Sequence, residues 1–184
     1  MKATDELRAE HEGIGVMLRV LEAVAERLGE GEAVDPGDLD GMLEFLTVFV
    51  DRCHHGKEEI HLFPALEKAG VPRENGPIGV MLGEHEEGRR LILRLREALD
   101  GLDPADVAGT GSARRVMEEY VTLLDGHIAK ENRVLFAMAD ARLDPGTDGE
   151  LVAAFARLER ERIGEGRHEA FHALLGRLEA EYLF

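Results

Sequence analysis

Tryptophan is absent from this chain, aromatic residues make up only 5 % of it, and there is one cysteine, Cys53. With aromatic and β-branched residues sparse, little is available to build strands. Leu, Ala, Glu and Arg dominate instead, a balance that favours helices. The lone cysteine excludes an intramolecular disulfide and fits a reducing compartment. No run approaches the roughly 20 apolar residues of a membrane span. The opening MKATDELRAEH is charged at once and has no apolar signal core. Cations are in deficit as well: 22 Lys and Arg stand against 38 Asp and Glu, a net charge of −16. Phosphate binding needs clustered basic residues, so the charge argues against nucleic acid as a partner and against an anionic membrane surface. The expected setting is soluble and cytoplasmic. The sequence leaves the oligomeric state open.

What the 184 residues do contain is helical periodicity. Turn-forming clusters at 29–38, 69–77, 101–112 and 144–149, rich in Gly, Pro, Asp and Asn, cut the chain into four long segments and a C-terminal remainder. The first segment carries Leu7, Ile14, Leu18, Leu21 and Leu28; the second, Leu43, Leu46, Val50, Leu62 and Leu66. Ile78, Leu82, Ile92, Leu95 and Leu99 mark the third, and Val116, Tyr120, Leu124, Ile128 and Leu135 the fourth. One apolar stripe per helix and short connections predict an all-α, up-down-up-down four-helix bundle over residues 1–142. Residues 143–184 are expected to add a C-terminal helical extension, one helix or two, broken at the Gly-Glu-Gly of 164–166. Asn75 with Pro77, Ser112, and the Thr-Asp-Gly-Glu of 147–150 are the expected helix starts. Pro64 falls inside the second stripe and is expected to kink that helix or end its regular part.

Polar residues sit on these stripes. His11 is four after Leu7 and three before Ile14; His54 is four after Val50; His85 is seven from both Ile78 and Ile92; His127 is three after Leu124. Glu58 and Glu131 follow His54 and His127 by four, on the same faces. A lone inward histidine is ordinarily a hydrogen-bonded core residue. Four of them on four helices, with two carboxylates at matching offsets, would be a costly core without a cation. Imidazole with carboxylate and no thiolate suits iron or manganese, with zinc as an alternative. Four imidazoles and two carboxylates are enough for two adjacent divalent metals.

The stretches LRAEHEGI (7–14), HHGKEEIHLFPAL (54–66), MLGEHEEGRRLI (81–92) and HIAKENRVLF (127–136) together resemble the hemerythrin family, in its bacterial HHE cation-binding branch. Both His-x-x-x-Glu motifs place Leu-Phe eight and nine positions after the histidine, which selects His54 and Glu58 over His55 and Glu59. The resemblance implies a non-heme pair of iron ions. His11 and His54 would hold one and His85 and His127 the other, with Glu58 and Glu131 bridging beside an oxo or hydroxo group. The family's oxygen carriers place two histidines one turn apart on the third helix. Here His85 has Met81 before it and Arg89 after, so one imidazole is missing. His168, one turn before His172 in the C-terminal segment, is a further metal candidate, the alternative being that both histidines cap or decorate the last helix. His55 and His61 are expected beside the ligands or on the surface, and Cys53 needs no role.

The resemblance implies a protein that binds or senses dioxygen or a related small molecule such as peroxide or nitric oxide. An alternative is a stress or repair enzyme acting on peroxide or nitric oxide, and a third is a metal-stabilised interaction domain. No acid–base pair or substrate pocket beyond the metal set is legible, so the sequence does not decide whether the protein is an enzyme.

Overall fold

Helix α1 spans Ala3–Gly29 in a computed structural model that describes residues 2–184. Helix α2 runs unbroken from Pro36 to Lys68, α3 from Pro77 to Leu99, and α4 from Val107 to Arg142. Two more, α5 (Pro145–Arg162) and α6 (Arg167–Tyr182), complete the chain, and no strand occurs among the described residues. The first four form the expected antiparallel bundle, with α1 against α2 and α4, and α3 against the same two. Both α5 and α6 pack on α1 and α2.

Helix starts follow hydrogen-bonding chemistry more closely than the turn clusters suggested. Asp106 caps α4 by accepting from the Ala108 N–H, six residues ahead of the expected Ser112, so half of the 101–112 cluster is already helical. Asp144 caps α5 by accepting from the Gly146 and Thr147 N–H groups, with Pro145 in the first turn. The expected Thr147 box therefore lies inside the helix. The predicted break at 164–166 is present: Gly164 and Gly166 both have positive φ, a conformation open to glycine at little cost.

Pro64 does not end α2, which runs on to Lys68. It sits in the first turn of the α-helical stretch Phe63–Lys68, directly after a π-helical stretch, Glu58–Leu62. The wider turn, in which the Phe63 N–H bonds the Glu58 carbonyl five residues back, leaves room for a residue with no N–H to donate. A longer π-helical stretch, Phe45–His55, precedes it, and α4 contains a third at Glu131–Leu135. Two of the three begin at the glutamate of a His-x-x-x-Glu motif.

The buried apolar residues form two separate clusters. One holds Ile14, Val50, Leu91 and Leu124 with their neighbours; the other holds Leu7, Leu62, Met81 and Leu135 with theirs. On each of the four bundle helices the inward histidine lies between the two sets. The bundle is thus an apolar rod interrupted by one polar layer. Helix α6 closes one side: Phe171 meets Phe45 and Phe49 edge-on, and the Tyr182 hydroxyl and Arg177 both donate to Asp38 at 2.7 Å.

Candidate metal centre

The polar layer brings together His11, His54, Glu58, His85, His127 and Glu131, none more than 4 % exposed. The four rings form two pairs, with Nε2 atoms 2.9 Å apart between His11 and His54 and 3.2 Å apart between His85 and His127. Each carboxylate spans both pairs. Glu131 lies 3.2 Å from Nε2 of His11 through one oxygen and 3.2 Å from Nε2 of His127 through the other. Glu58 does the same at 3.5 Å from His54 and 3.4 Å from His85.

The outer nitrogens explain why these Nε2 atoms face one another. Nδ1 of His54 donates to Glu10 at 2.8 Å, that of His85 to Glu59 at 2.7 Å, that of His127 to Glu84 at 2.9 Å, and that of His11 to Asn132 at 2.9 Å. A carboxylate or amide oxygen can only accept, so each neutral ring carries its proton on Nδ1 and leaves a bare lone pair on Nε2. The bonds form a closed ring around the bundle. Helix α1 fixes a histidine of α2, α2 one of α3, α3 one of α4, and α4 one of α1. Three of the four acceptors carry a charge, and each is neutralised from outside, Glu10 by Lys57, Glu59 by Arg89 and Glu84 by Lys130.

Inside the ring nothing is neutralised. Four lone pairs and two carboxylates converge, and no oxygen of Glu58 or Glu131 has a hydrogen-bond partner. Burial first, and then the charge of Glu131, push the Glu58 carboxyl well above the ordinary carboxylate range. Burial likewise lowers His54 to about 4, so it is neutral at pH 7. A cation is what such a donor set lacks, and mixed imidazole and carboxylate donors suit iron, manganese or zinc. The residues fit a pair of divalent ions. The hydrogen bonds behind the rings supply the orientation that histidine ligands require.

Packing holds the rings in place. Phe136 stacks on His11, centroids 5.3 Å apart and planes 10° apart, and Phe63 stacks on His85 at 5.8 Å and 20°. These are the phenylalanines of the two Leu-Phe pairs, each packed against a histidine from another helix. The orienting residues Glu10, Glu59, Glu84 and Asn132 were not singled out by the stripes. Each is the immediate sequence neighbour of a candidate ligand, and each serves a different helix from its neighbour.

His55 takes the first of its two expected places, beside the ligands: it is buried and stacked on His85, with centroids 3.8 Å apart and planes 15° apart. Its ring nitrogen falls within 4.8 Å of donor atoms of Glu58, His85 and His127. Arg89, one turn after His85, binds Asp51 at 2.8 Å and Glu59 at 2.7 Å.

His168 is not brought to this layer. With His172, Glu10, Glu159 and Phe49 it lines a cavity of about 420 Å³ between α1, α2, α5 and α6. It lies within 4.8 Å of Glu10 and Glu159, two carboxylates that both bind Lys57. Its place is behind Glu10, one side chain removed from His54. His61 lies at the surface side of α2 near Phe155, and Cys53 is buried, where desolvation pushes its thiol up to about 12.

Comparison with known proteins agrees with this chemistry. The family model for the hemerythrin HHE cation binding domain matches residues 2–139. An uncharacterized protein of Mycobacterium tuberculosis is 25 % identical over 166 residues, covering 89 % of this chain and 63 % of its own. The iron-sulfur cluster repair protein YtfE of Enterobacter sp. is 33 % identical over 103 residues, 54 % of this chain and 47 % of its own. YtfE of Escherichia coli is 29 % identical over 119 residues, 62 % of this chain and 54 % of its own. The chain thus spans less than two thirds of these relatives' lengths. No solved structure matches with significance. No helix among the described residues is long and apolar enough to cross a membrane.

Proposed function

The chain belongs to the hemerythrin HHE cation-binding family, and we propose that its bundle holds two non-heme iron ions and uses them to bind or sense dioxygen, peroxide or nitric oxide. In this reading His11 and His54 face one ion, His85 and His127 the other, and Glu58 and Glu131 reach both. The observation that carries it is the set of four Nε2 lone pairs held toward two carboxylates with no hydrogen-bond partner. A ferrous pair supplies two electrons to a small oxidant. The protein's part is to orient the imidazoles through Glu10, Glu59, Glu84 and Asn132, to keep the donors ionised or neutral as required, and to exclude water. Apolar residues above and below the layer, Met81, Leu124 and Leu135 among them, provide that exclusion.

A second reading follows from the YtfE relatives, whose name assigns them iron-sulfur cluster repair. Under it the iron is consumed or turned over under stress rather than kept for reversible binding. One experiment separates the two. Iron-loaded protein is reduced without oxygen and oxygen is then admitted while the absorption spectrum is followed. A reversible charge-transfer band supports binding or sensing, whereas continuing consumption of peroxide or nitric oxide, or iron loss, supports the repair reading. Loading should reach about two ions per chain. If His85→Ala left that content unchanged, the ligand assignment would fall.

A further inference from the structure

We propose that His55 is a fifth imidazole ligand, supplied by α2 to the metal on the His85–His127 side in place of the histidine that α3 lacks. This rests on the two-metal reading and deepens it. His55 is 4 % exposed, and neither of its ring nitrogens has a hydrogen-bond partner. A buried imidazole in that state is costly, and such groups in folded proteins nearly always have a partner. The nearest carboxylate, Asp51, stands 3.5 Å from Nδ1 without making a hydrogen bond, and it is engaged by Arg89 at 2.8 Å.

The ring is also aimed. One of its nitrogens joins donor atoms of Glu58, His85 and His127 within 4.8 Å, a spread that one ion can draw together. The stack on His85 fixes its plane. Adjacent residues of an α-helix diverge by about 100°, which would turn His55 away from the face that carries His54. The π-helical stretch Phe45–His55 narrows that angle and lets both rings point inward. Unlike the other four histidines, His55 has no acceptor behind it to fix its tautomer. It is therefore the ligand whose orientation depends most on the metal itself.

The donors would then be unequal: three imidazoles would stand on the His85–His127 side of the two carboxylates and two on the His11–His54 side.

The test uses the full chain loaded with iron-57 in the oxidised state. Mössbauer spectra of the wild type should show two inequivalent irons in equal amounts. His55→Leu should bring their parameters together and weaken retention of one iron by about tenfold or more, as loss of metal-supporting groups does. His55→Phe preserves the stack on His85 and guards against loss of the fold, which circular dichroism checks. X-ray absorption of the wild type, counting imidazole scattering, needs no variant: five rings shared by two irons supports the assignment and four overturns it. Unchanged spectra and unchanged retention in both folded variants overturn the role of His55 alone. A wild type that takes up one iron or none overturns the two-metal reading, and His55 with it.

Discussion

Lys57→Met tests whether the outer ring of hydrogen bonds holds the centre in shape. Lys57 is fully buried, and its ammonium binds Glu10, Glu6 at 2.7 Å and Glu159 at 3.2 Å. Burial alone would lower its pKa, but these carboxylates outweigh burial and hold it above its ordinary value. Its chief partner Glu10 is held at about 2, because bonds from His54 and Lys57 outweigh its own burial. Methionine keeps most of the side-chain volume, so the variant removes charge with little change in packing. Removing one member of a buried ion pair costs about 3–5 kcal/mol, since the other charge is left behind. His54 still donates to Glu10 at 2.8 Å, which places the expected loss at the lower end, about 3 kcal/mol. For a chain of this size that is a fall in Tm of about 6–12 °C. The assay is urea unfolding of metal-stripped protein at pH 7 for Lys57→Met, Glu10→Gln and the double variant. Glutamine keeps an acceptor for His54 but no charge, so the double variant should recover much of the loss, with a coupling above about 1.5 kcal/mol. Coupling below about 0.5 kcal/mol would show that Lys57 does not sustain Glu10, and the ring would lose its electrostatic basis.

Metal removal should destabilise the fold, because it leaves two buried carboxylates facing four lone pairs. At saturation a thousandfold above Kd the linkage is about 4 kcal/mol, a fall in Tm of about 8–16 °C on chelation, and calorimetry showing no shift would contradict a cation at this layer. Asp38 anchors α6, and although burial would raise its pKa, bonds from Tyr182 and Arg177 hold it below the ordinary 3.8. A depressed carboxyl stabilises the fold above its unfolded pKa and loses that contribution as pH falls. Asp38→Asn should therefore cost about 1–2 kcal/mol at pH 7, and the difference from the wild type should shrink as pH falls below the ordinary carboxylate range, as acid titration of unfolding would reveal. His168→Ala should leave metal content and the iron spectrum as they are, since that ring faces the cavity behind Glu10; a changed iron spectrum would place it closer to the centre than the structure does.

How far the chain could be read depended on the kind of signal. The stripes through Leu7, Val50, Ile78 and Leu124 are local periodicities, and periodicity alone announces four amphipathic helices and the inward histidine on each. The doubled His-x-x-x-Glu with its Leu-Phe register was equally legible, because both ends of the motif lie on one helix. Helix starts were less so: Asp106 and Asp144 prevail over Ser112 and Thr147 by bonding N–H groups two or three residues on, a contest between neighbours that the turn clusters do not decide.

What the sequence by itself determined was the helical class, the bundle and the polar layer, since each follows from which residues share a helix face. Only the tertiary structure decided how those faces meet. That Glu10 fixes His54, Glu59 fixes His85 and Glu84 fixes His127 is a relation between helices. The inward turn of His55 depends on π-helical winding that a regular 3.6-residue period cannot anticipate. His168 was placed by the packing of α6 on α1 and α2, which set its ring beside Phe49 and behind Glu10. Local spacing fixes which way a side chain leaves its own helix; what it meets there depends on the neighbouring helix, which spacing along one chain segment does not encode.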